Sequence, residues 1–194
     1  MGAVLGISVL TVVAYGLFFA YDVFTVKHPD FSRSGVLFTA GCLLVVIAAL
    51  ILAVSQVTAC PRDAFALIFA LMALAAFALM IKALFFSLPA GTYSDPQQGR
   101  HAYQGGMYAL CRHPGVLWYC MFFLFMALAL RTNIAFVCCA ILCAGNVAYM
   151  FFQDKWSFPR TFCDYGEYQQ RVPFFWPTAA SFRAAFLSRE GGRA

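Results

Sequence analysis

The sequence predicts an all-α, polytopic integral membrane protein with about five transmembrane helices, and two observations support this. Of its 194 residues, 63% are hydrophobic and only 11% are charged, whereas a soluble globular domain carries about a quarter charged residues. The hydrophobic residues also form long runs, and about 20 such residues in a helix cross the hydrocarbon core of a bilayer. A chain this poor in charge cannot cover a water-facing surface, and its length suits a single domain.

Five apolar runs follow one another along the chain, and short polar breaks separate them. They are residues 2–25, 34–58, 63–88, 107–130 and 133–152. The runs lack the polar alternation that strands of a membrane barrel would show, so we expect helices. Residues 153–194 are predicted to form a cytoplasmic C-terminal segment with an interfacial helix. The whole chain, residues 1–194, is then one transmembrane domain.

Each run has its own justification. The first lacks the basic start and the small-residue cleavage site of a signal peptide, so we interpret it as a retained helix. The second and third follow the breaks "KHPDFSRSG" and "CPRD", and the fifth follows "RTN". The fourth follows the long break "PAGTYSDPQQGRHAYQGG". Pro114 limits where the fourth helix can begin, because proline is poorly tolerated inside a helix.

The basic residues predict the orientation. With five spans, one side of the membrane would hold eleven of the thirteen Lys and Arg residues, and the other only Arg62 and Arg131. Such an asymmetry places the richer side in the cytoplasm. We therefore expect the N-terminus outside and the C-terminus in the cytoplasm. The charges border membrane spans, so the net charge of +5 does not indicate nucleic-acid binding.

The eight cysteines predict neither a structural disulfide nor a metal site. Five lie inside apolar runs, where cysteine behaves as a small hydrophobic residue. Cys111 and Cys163 fall on the predicted cytoplasmic side, where thiols stay reduced. The chain has no CxxC pair, and its three histidines are scattered along the sequence.

Polar residues that suit a ligand are concentrated in two stretches. The first is "GMYALCRHPGVLWY", which leads into the fourth helix, and the second is "QDKWSFPRTFCDYGEYQQRVPFFWP", which follows the fifth. Pro114 suits the first turn of a helix. Arg112 and His113 would then lie at a helix N-terminus, where free N–H groups favour an anionic partner. Taken singly, the first stretch is more typical of an interfacial anchor, and the second is also typical of an amphipathic interfacial helix.

Together, the two stretches resemble the isoprenylcysteine carboxyl methyltransferase and phospholipid methyltransferase family. The first element reads G-x-Y-x-x-x-R-H-P, from Gly106 to Pro114. An acidic pair in the family corresponds to Gln153 and Asp154 about forty residues later. The last element reads Y-x-x-Y-x-x-x-V-P-x-x-x-P, from Tyr165. The resemblance covers roughly residues 100–178 and implies a small polytopic enzyme that uses S-adenosylmethionine and methylates a membrane lipid or lipidated acceptor.

The resemblance also implies roles for individual residues. The cofactor-binding residues would be Tyr108, Arg112, His113, Pro114, Gln153 and Asp154. The substrate-binding residues would be Tyr165, Tyr168 and Arg171, and the catalytic residues would be Arg112, Tyr168 and Arg171. Arg112 would hold the methionine carboxylate, and Gln153 and Asp154 would hold the amino group or the ribose hydroxyls.

The chain departs from the family at three points, and two other functions stay open. Val116 replaces a tyrosine, Gln153 and Asp154 replace two glutamates, and Phe162-Cys163 stands in for a Phe-Gly pair. One alternative is an NADPH-dependent membrane reductase of the steroid 5-alpha-reductase type. Arg100, His101 and Arg160 would then supply the phosphate contacts. The other alternative is a non-catalytic membrane protein that retains the fold. The methyl acceptor and the oligomeric state are not predicted.

Overall fold

The computed structural model describes residues 2–28, 35–87 and 100–190, and the regular structure in this part of the chain is entirely helical. The long helices are α1 (Gly2–Lys27), α2 (Gly35–Gln56), α3 (Ala64–Ile81), α4 (Pro114–Leu130) and α5 (Asn133–Phe152). Shorter helices follow: α6 (Phe158–Thr161), α7 (Tyr165–Arg171) and α8 (Ala179–Glu190). The predicted all-α fold is therefore confirmed. The predicted span ends at residues 34 and 88 lie outside the described residues.

Several of these helices are suited to cross a membrane. By length and composition α1, α2, α3 with the turn after it, and α5 with its continuation to Thr161 all qualify. The apolar helix α4 has 17 residues, which span about 25 Å at 1.5 Å per residue. Large apolar side chains, including Leu50 and Leu71, are exposed on the outside of the bundle. Lipid is the natural solvent for such a surface, so the protein is a multi-pass membrane protein.

Helix α4 begins at Pro114, which the sequence placed in the first turn of this helix. The predicted fourth span was 107–130, but a separate 3₁₀ turn (Gly106–Ala109) precedes the helix, which starts at Pro114. Proline lacks an N–H donor and disfavours helical geometry in the residue before it. His113 accordingly has φ −124° and ψ 57°, outside the helical region. The proline thus separates the polar segment from the membrane helix.

At the C-terminal end of α4, the helices that follow two short connections, α3 and α5, each begin with a polar N-terminal cap. Asp63 accepts a hydrogen bond from the Ala66 N–H at 2.8 Å at the start of α3, and Thr132 accepts one from the Ala135 N–H at 3.1 Å at the start of α5. Arg131 ends α4 in the left-handed conformation and pairs with Asp63. The α2–α3 and α4–α5 connections therefore lie at the same end of the bundle.

The helices pack around a core that α1, α2, α4 and α5 share. The buried members include Ile7, Leu52, Phe123, Cys138 and Leu142. Helix α3 lies along α4, α1 lies along α2, and α5 contacts both α4 and α1. The hydroxyl of Tyr15 in α1 donates to that of Tyr119 in α4 at 2.9 Å. This packing brings the C-terminal ends of α1, α3 and α5 beside the segment that precedes α4.

Candidate functional site

The helical path of α5 continues through a π turn, Gln153–Ser157, before α6. Such turns are rare and frequently mark functional sites. The turn directs the Asp154 side chain into the protein, where only 1% of it is exposed. Buried carboxylates need hydrogen-bond donors or an opposite charge, and Asp154 has both.

Four side chains from both sequence-predicted stretches surround the Asp154 carboxylate. Its Oδ1 atom lies 3.2 Å from Arg112 Nη1 and 3.2 Å from His113 Nε2, and it accepts a hydrogen bond from the Tyr165 hydroxyl at 2.8 Å. Gln169 Nε2 donates to Oδ2 at 3.2 Å and to the Asp154 carbonyl at 3.0 Å. The structure thus joins residues far apart in the sequence into one polar cluster.

Arg112 is held on several sides. Its backbone N–H donates to the Pro173 carbonyl at 3.0 Å, and its guanidinium lies 5.2 Å from the centre of the Phe174 ring. Its Nε atom is buried and has no hydrogen-bond partner among the described residues. A buried donor without a partner costs about 1–3 kcal/mol, so this atom is suited to an anionic ligand.

Burial sets the protonation of two members of the cluster. It lowers the pKa of His113, although Asp154 opposes the shift, so the imidazole is neutral near pH 7 and donates from Nε2 to the carboxylate. Burial, followed by the hydrogen bond to Asp154, raises the pKa of Tyr165 above its usual value. The Tyr165 hydroxyl therefore keeps its proton.

A cavity of about 310 Å³ adjoins this cluster. Arg112, His113, Gln153, Tyr165 and Tyr168 line its polar side, together with Tyr108, Pro114 and Val116. Phe38, Leu84 and Phe85 line its apolar side. The volume lies at the lower end of the range for small-molecule sites, about 300–1,000 Å³.

Asp22 lines the cavity but is not among the site residues predicted from the sequence. It belongs to the last part of α1, is only 5% exposed and lines the cavity. Its neighbours include Tyr149, Gln153 and Ser157, and its Oδ2 atom has no hydrogen-bond partner among the described residues. The signal that could have identified it is its position, because an ionisable residue within a membrane span indicates a functional site.

Tyr108 and Tyr168, two of the predicted site residues, form hydrogen bonds that join the segments around the cavity. The Tyr168 hydroxyl donates to the Tyr108 carbonyl at 2.7 Å, and the Tyr108 hydroxyl donates to the Ala83 carbonyl at 3.2 Å. Burial raises the pKa of Tyr168, so its hydroxyl also stays protonated. These bonds connect the segment before α4 to α7 and to the π turn Lys82–Phe86.

Other predicted residues lie away from the cavity. Arg171 is 64% exposed and forms an i,i+4 pair with Glu167. The guanidinium of Arg160, proposed for the reductase alternative, lies 5.0 Å from the centre of the Trp156 ring. Arg100 and His101 are likewise absent from the cavity lining. Asp154 supports the wall through Arg112, His113 and Tyr165 rather than lining the cavity itself.

Fold and site together define a multi-pass α-helical membrane protein with a partly polar cavity at one end of its bundle. Both signs of charge occur on the cavity wall, because Asp22 and Arg112 line it. No protein-family model, no curated protein and no solved structure matches the chain.

Proposed function

We propose that the protein is a membrane-embedded, S-adenosylmethionine-dependent methyltransferase that acts on a lipid or lipidated acceptor. One observation carries the proposal: Arg112, whose side chain is 10% exposed, and the buried Asp22 line the same cavity, and each has a buried polar atom that lacks a partner among the described residues. The amino-acid part of S-adenosylmethionine carries a carboxylate and an ammonium group, which match this pair.

The residues present fit the cofactor. Arg112 would bind the carboxylate, because its guanidinium has donors beyond the one that faces Asp154. Asp22 would bind the ammonium group, and the Gln153 amide beside it would add a polar contact. When bound, S-adenosylmethionine supplies an activated methyl group on a sulfonium. The protein's own task is to align the acceptor and to exclude water.

The apolar side of the cavity supports a lipid acceptor. Leu84 and Phe85 line the cavity and are 41% and 56% exposed. These exposed apolar side chains would let a lipid in the bilayer approach the cavity sideways. The Tyr165 and Tyr168 hydroxyls are hydrogen-bonded and protonated, so we expect them to position groups and not to remove a proton from the acceptor.

The reductase alternative has weaker support. Its proposed phosphate contacts, Arg100, His101 and Arg160, do not line the cavity. The cavity of about 310 Å³ also lies at the small end for a ligand site, and a dinucleotide is larger than S-adenosylmethionine.

Calorimetry of S-adenosylhomocysteine and NADPH with the detergent-purified protein tests the proposal. We expect saturable binding of S-adenosylhomocysteine only. Asp22→Asn should weaken this binding about tenfold or more, because a hydrogen bond to a charged group contributes about 1.5–3 kcal/mol. Val116→Trp should abolish it by filling the cavity, and the exposed variant Arg171→Gln should bind like the wild type.

Three results would contradict the proposal. NADPH binding alone would favour the reductase, and binding of neither ligand would favour a non-catalytic protein. Equal affinity in the wild type and Val116→Trp would show that the ligand binds outside this cavity. Methylation of lipid extracts with a labelled methyl donor would then identify the acceptor of an active protein.

A further inference from the structure

We propose that His101, Cys163 and Asp164 form a binding site for a zinc ion, separate from the cavity. The fold brings His101 next to Cys163, 62 positions away in the chain. One ligand atom from each residue lies within 4.8 Å of the other two. The sequence predicted no metal site because its histidines and cysteines are scattered, and only the fold brings these three residues together.

The distances within the group fit a tetrahedral metal ion. His101 Nδ1 lies 3.2 Å from Asp164 Oδ2 and 3.5 Å from Cys163 Sγ. With zinc bond lengths of about 2.0 Å to nitrogen and oxygen and 2.3 Å to sulfur, tetrahedral ligands are separated by roughly 3.3 Å (N to O) and 3.5 Å (N to S). These two separations are therefore close to the required ones, and Cys163 Sγ lies within 4.8 Å of the Asp164 ligand atom.

A catalytic Cys-His-Asp relay explains the arrangement less well. In a relay, the thiol and the carboxylate face opposite nitrogens of the imidazole, so that a proton can pass through the ring. Here both nearest contacts are made by Nδ1, and Cys163 Sγ is farther from Nε2, at 3.8 Å. Convergence of three donor atoms on one side of the ring is the geometry of a metal site.

Backbone hydrogen bonds hold the ligands in place without the metal. Asp164 Oδ1 accepts from the Ala102 N–H at 2.7 Å, which leaves Oδ2 for an ion. The Cys163 N–H donates to the Arg100 carbonyl at 2.9 Å. Asp164 also precedes helix α7, yet its side chain does not cap that helix. Such support of the ligands is typical of metal sites.

The metal would fix one part of the cavity wall. Ala102, next to His101, and Phe162, next to Cys163, both line the cavity. The ion would therefore clamp the segment before α4 to the turn before α7. His101 is 66% exposed, and Cys163 is the one exposed residue among the eight cysteines, all of which lie in the described part of the chain. Water would therefore be the fourth ligand of the zinc ion.

Zinc titration of the metal-stripped, reduced, full-length protein against a chromogenic chelator tests the site. We expect one equivalent of zinc per chain, and cobalt in its place should give a thiolate-to-metal absorption band. Cys163→Ser and His101→Ala should remove both signals, and Asp164→Asn should weaken zinc binding about tenfold or more. The controls Cys60→Ser and His28→Ala should bind like the wild type.

Protection from alkylation gives a second measurement that needs no variant. Zinc should slow the reaction of Cys163 with a maleimide at least tenfold and leave the other cysteines unaffected. Absence of stoichiometric zinc binding would overturn the proposal. So would zinc binding that persists in both Cys163→Ser and His101→Ala, or alkylation of Cys163 that zinc does not change. Binding of S-adenosylhomocysteine is not part of this test, so the two proposals can fail separately.

Discussion

Replacement of Asp154 by asparagine is the perturbation that most directly tests the polar cluster. Asparagine keeps the size of the side chain but removes the charge and one acceptor oxygen. Three donors, from Arg112, His113 and Tyr165, converge on Oδ1. In the variant, an amide NH₂ replaces one oxygen and faces another donor. The guanidinium of Arg112, whose side chain is 10% exposed, also loses its counter-charge.

The magnitude follows from this burial. Removal of one partner of a buried ion pair costs about 3–5 kcal/mol, because the other charge stays buried without compensation. The slight exposure of Arg112 and the oxygen that asparagine retains favour the lower end, about 3 kcal/mol. For a chain of this size, 1 kcal/mol shifts the melting temperature by roughly 2–4 °C. We therefore expect Asp154→Asn to melt about 6–12 °C below the wild type.

Thermal unfolding of the purified protein in one detergent, followed by intrinsic fluorescence, measures this shift. Glu167→Gln is the matched control, because it makes the same chemical change at an acid that is 69% exposed and pairs with an exposed arginine. Exposed i,i+4 pairs contribute about 0.3–0.5 kcal/mol, so the control should melt within about 2 °C of the wild type. A shift in Asp154→Asn no larger than that of the control would refute the buried cluster.

Three further predictions concern protonation, packing and topology. Burial in the folded state lowers the pKa of His113, so the unfolded state binds more protons at low pH. The protein should therefore become less stable as the pH drops below about 6.5. In melting experiments His113→Gln should reduce this pH dependence, and the control His28→Gln should leave it unchanged. Gly145→Ala should destabilise the protein by about 1–3 kcal/mol, because the new Cβ would lie 2.6 Å from the Tyr15 ring, whereas Gly16→Ala, with nothing within 4 Å, should not. A reporter fused after the last residue should be cytoplasmic, and an extracytoplasmic signal would contradict the predicted topology and the charge asymmetry behind it.

The sequence predicted the fold class well because the length of an apolar run is a property of the sequence alone. It also predicted that the segment around Arg112 and the segment from Gln153 onward belong to one site, and the Asp154 cluster brings them together. The position of Pro114 in the first turn of α4 was also predicted, because proline is tolerated there and not inside a helix, although the predicted span 107–130 included the turn before it. The pattern of apolar residues could not indicate the first residue of α4, because this helix is apolar on all sides and shows no 3.6-residue repeat.

Other features depended on tertiary packing. Asp22 lies on a helix that is apolar all round, so the sequence could not tell which face of α1 turns towards Gln153. Arg171 belongs to the predicted segment, but its position on the exposed side of a short helix directs it to Glu167 instead of the cavity. The proximity of His101 to Cys163 required the fold, because 62 positions separate them.

Stability and ligand positioning in the Asp154 cluster can be separated by a double-mutant cycle. Arg112→Gln leaves a carboxylate that still has His113, Tyr165 and Gln169 as donors, so it should cost less than Asp154→Asn. The double variant removes both charges, and the two losses should be less than additive by about 0.5–3 kcal/mol. Binding of S-adenosylhomocysteine should nevertheless stay lost in the double variant, because the cation that would hold the ligand carboxylate is absent. Recovery of both stability and binding would show that Arg112 compensates a buried charge and has no part in the ligand site.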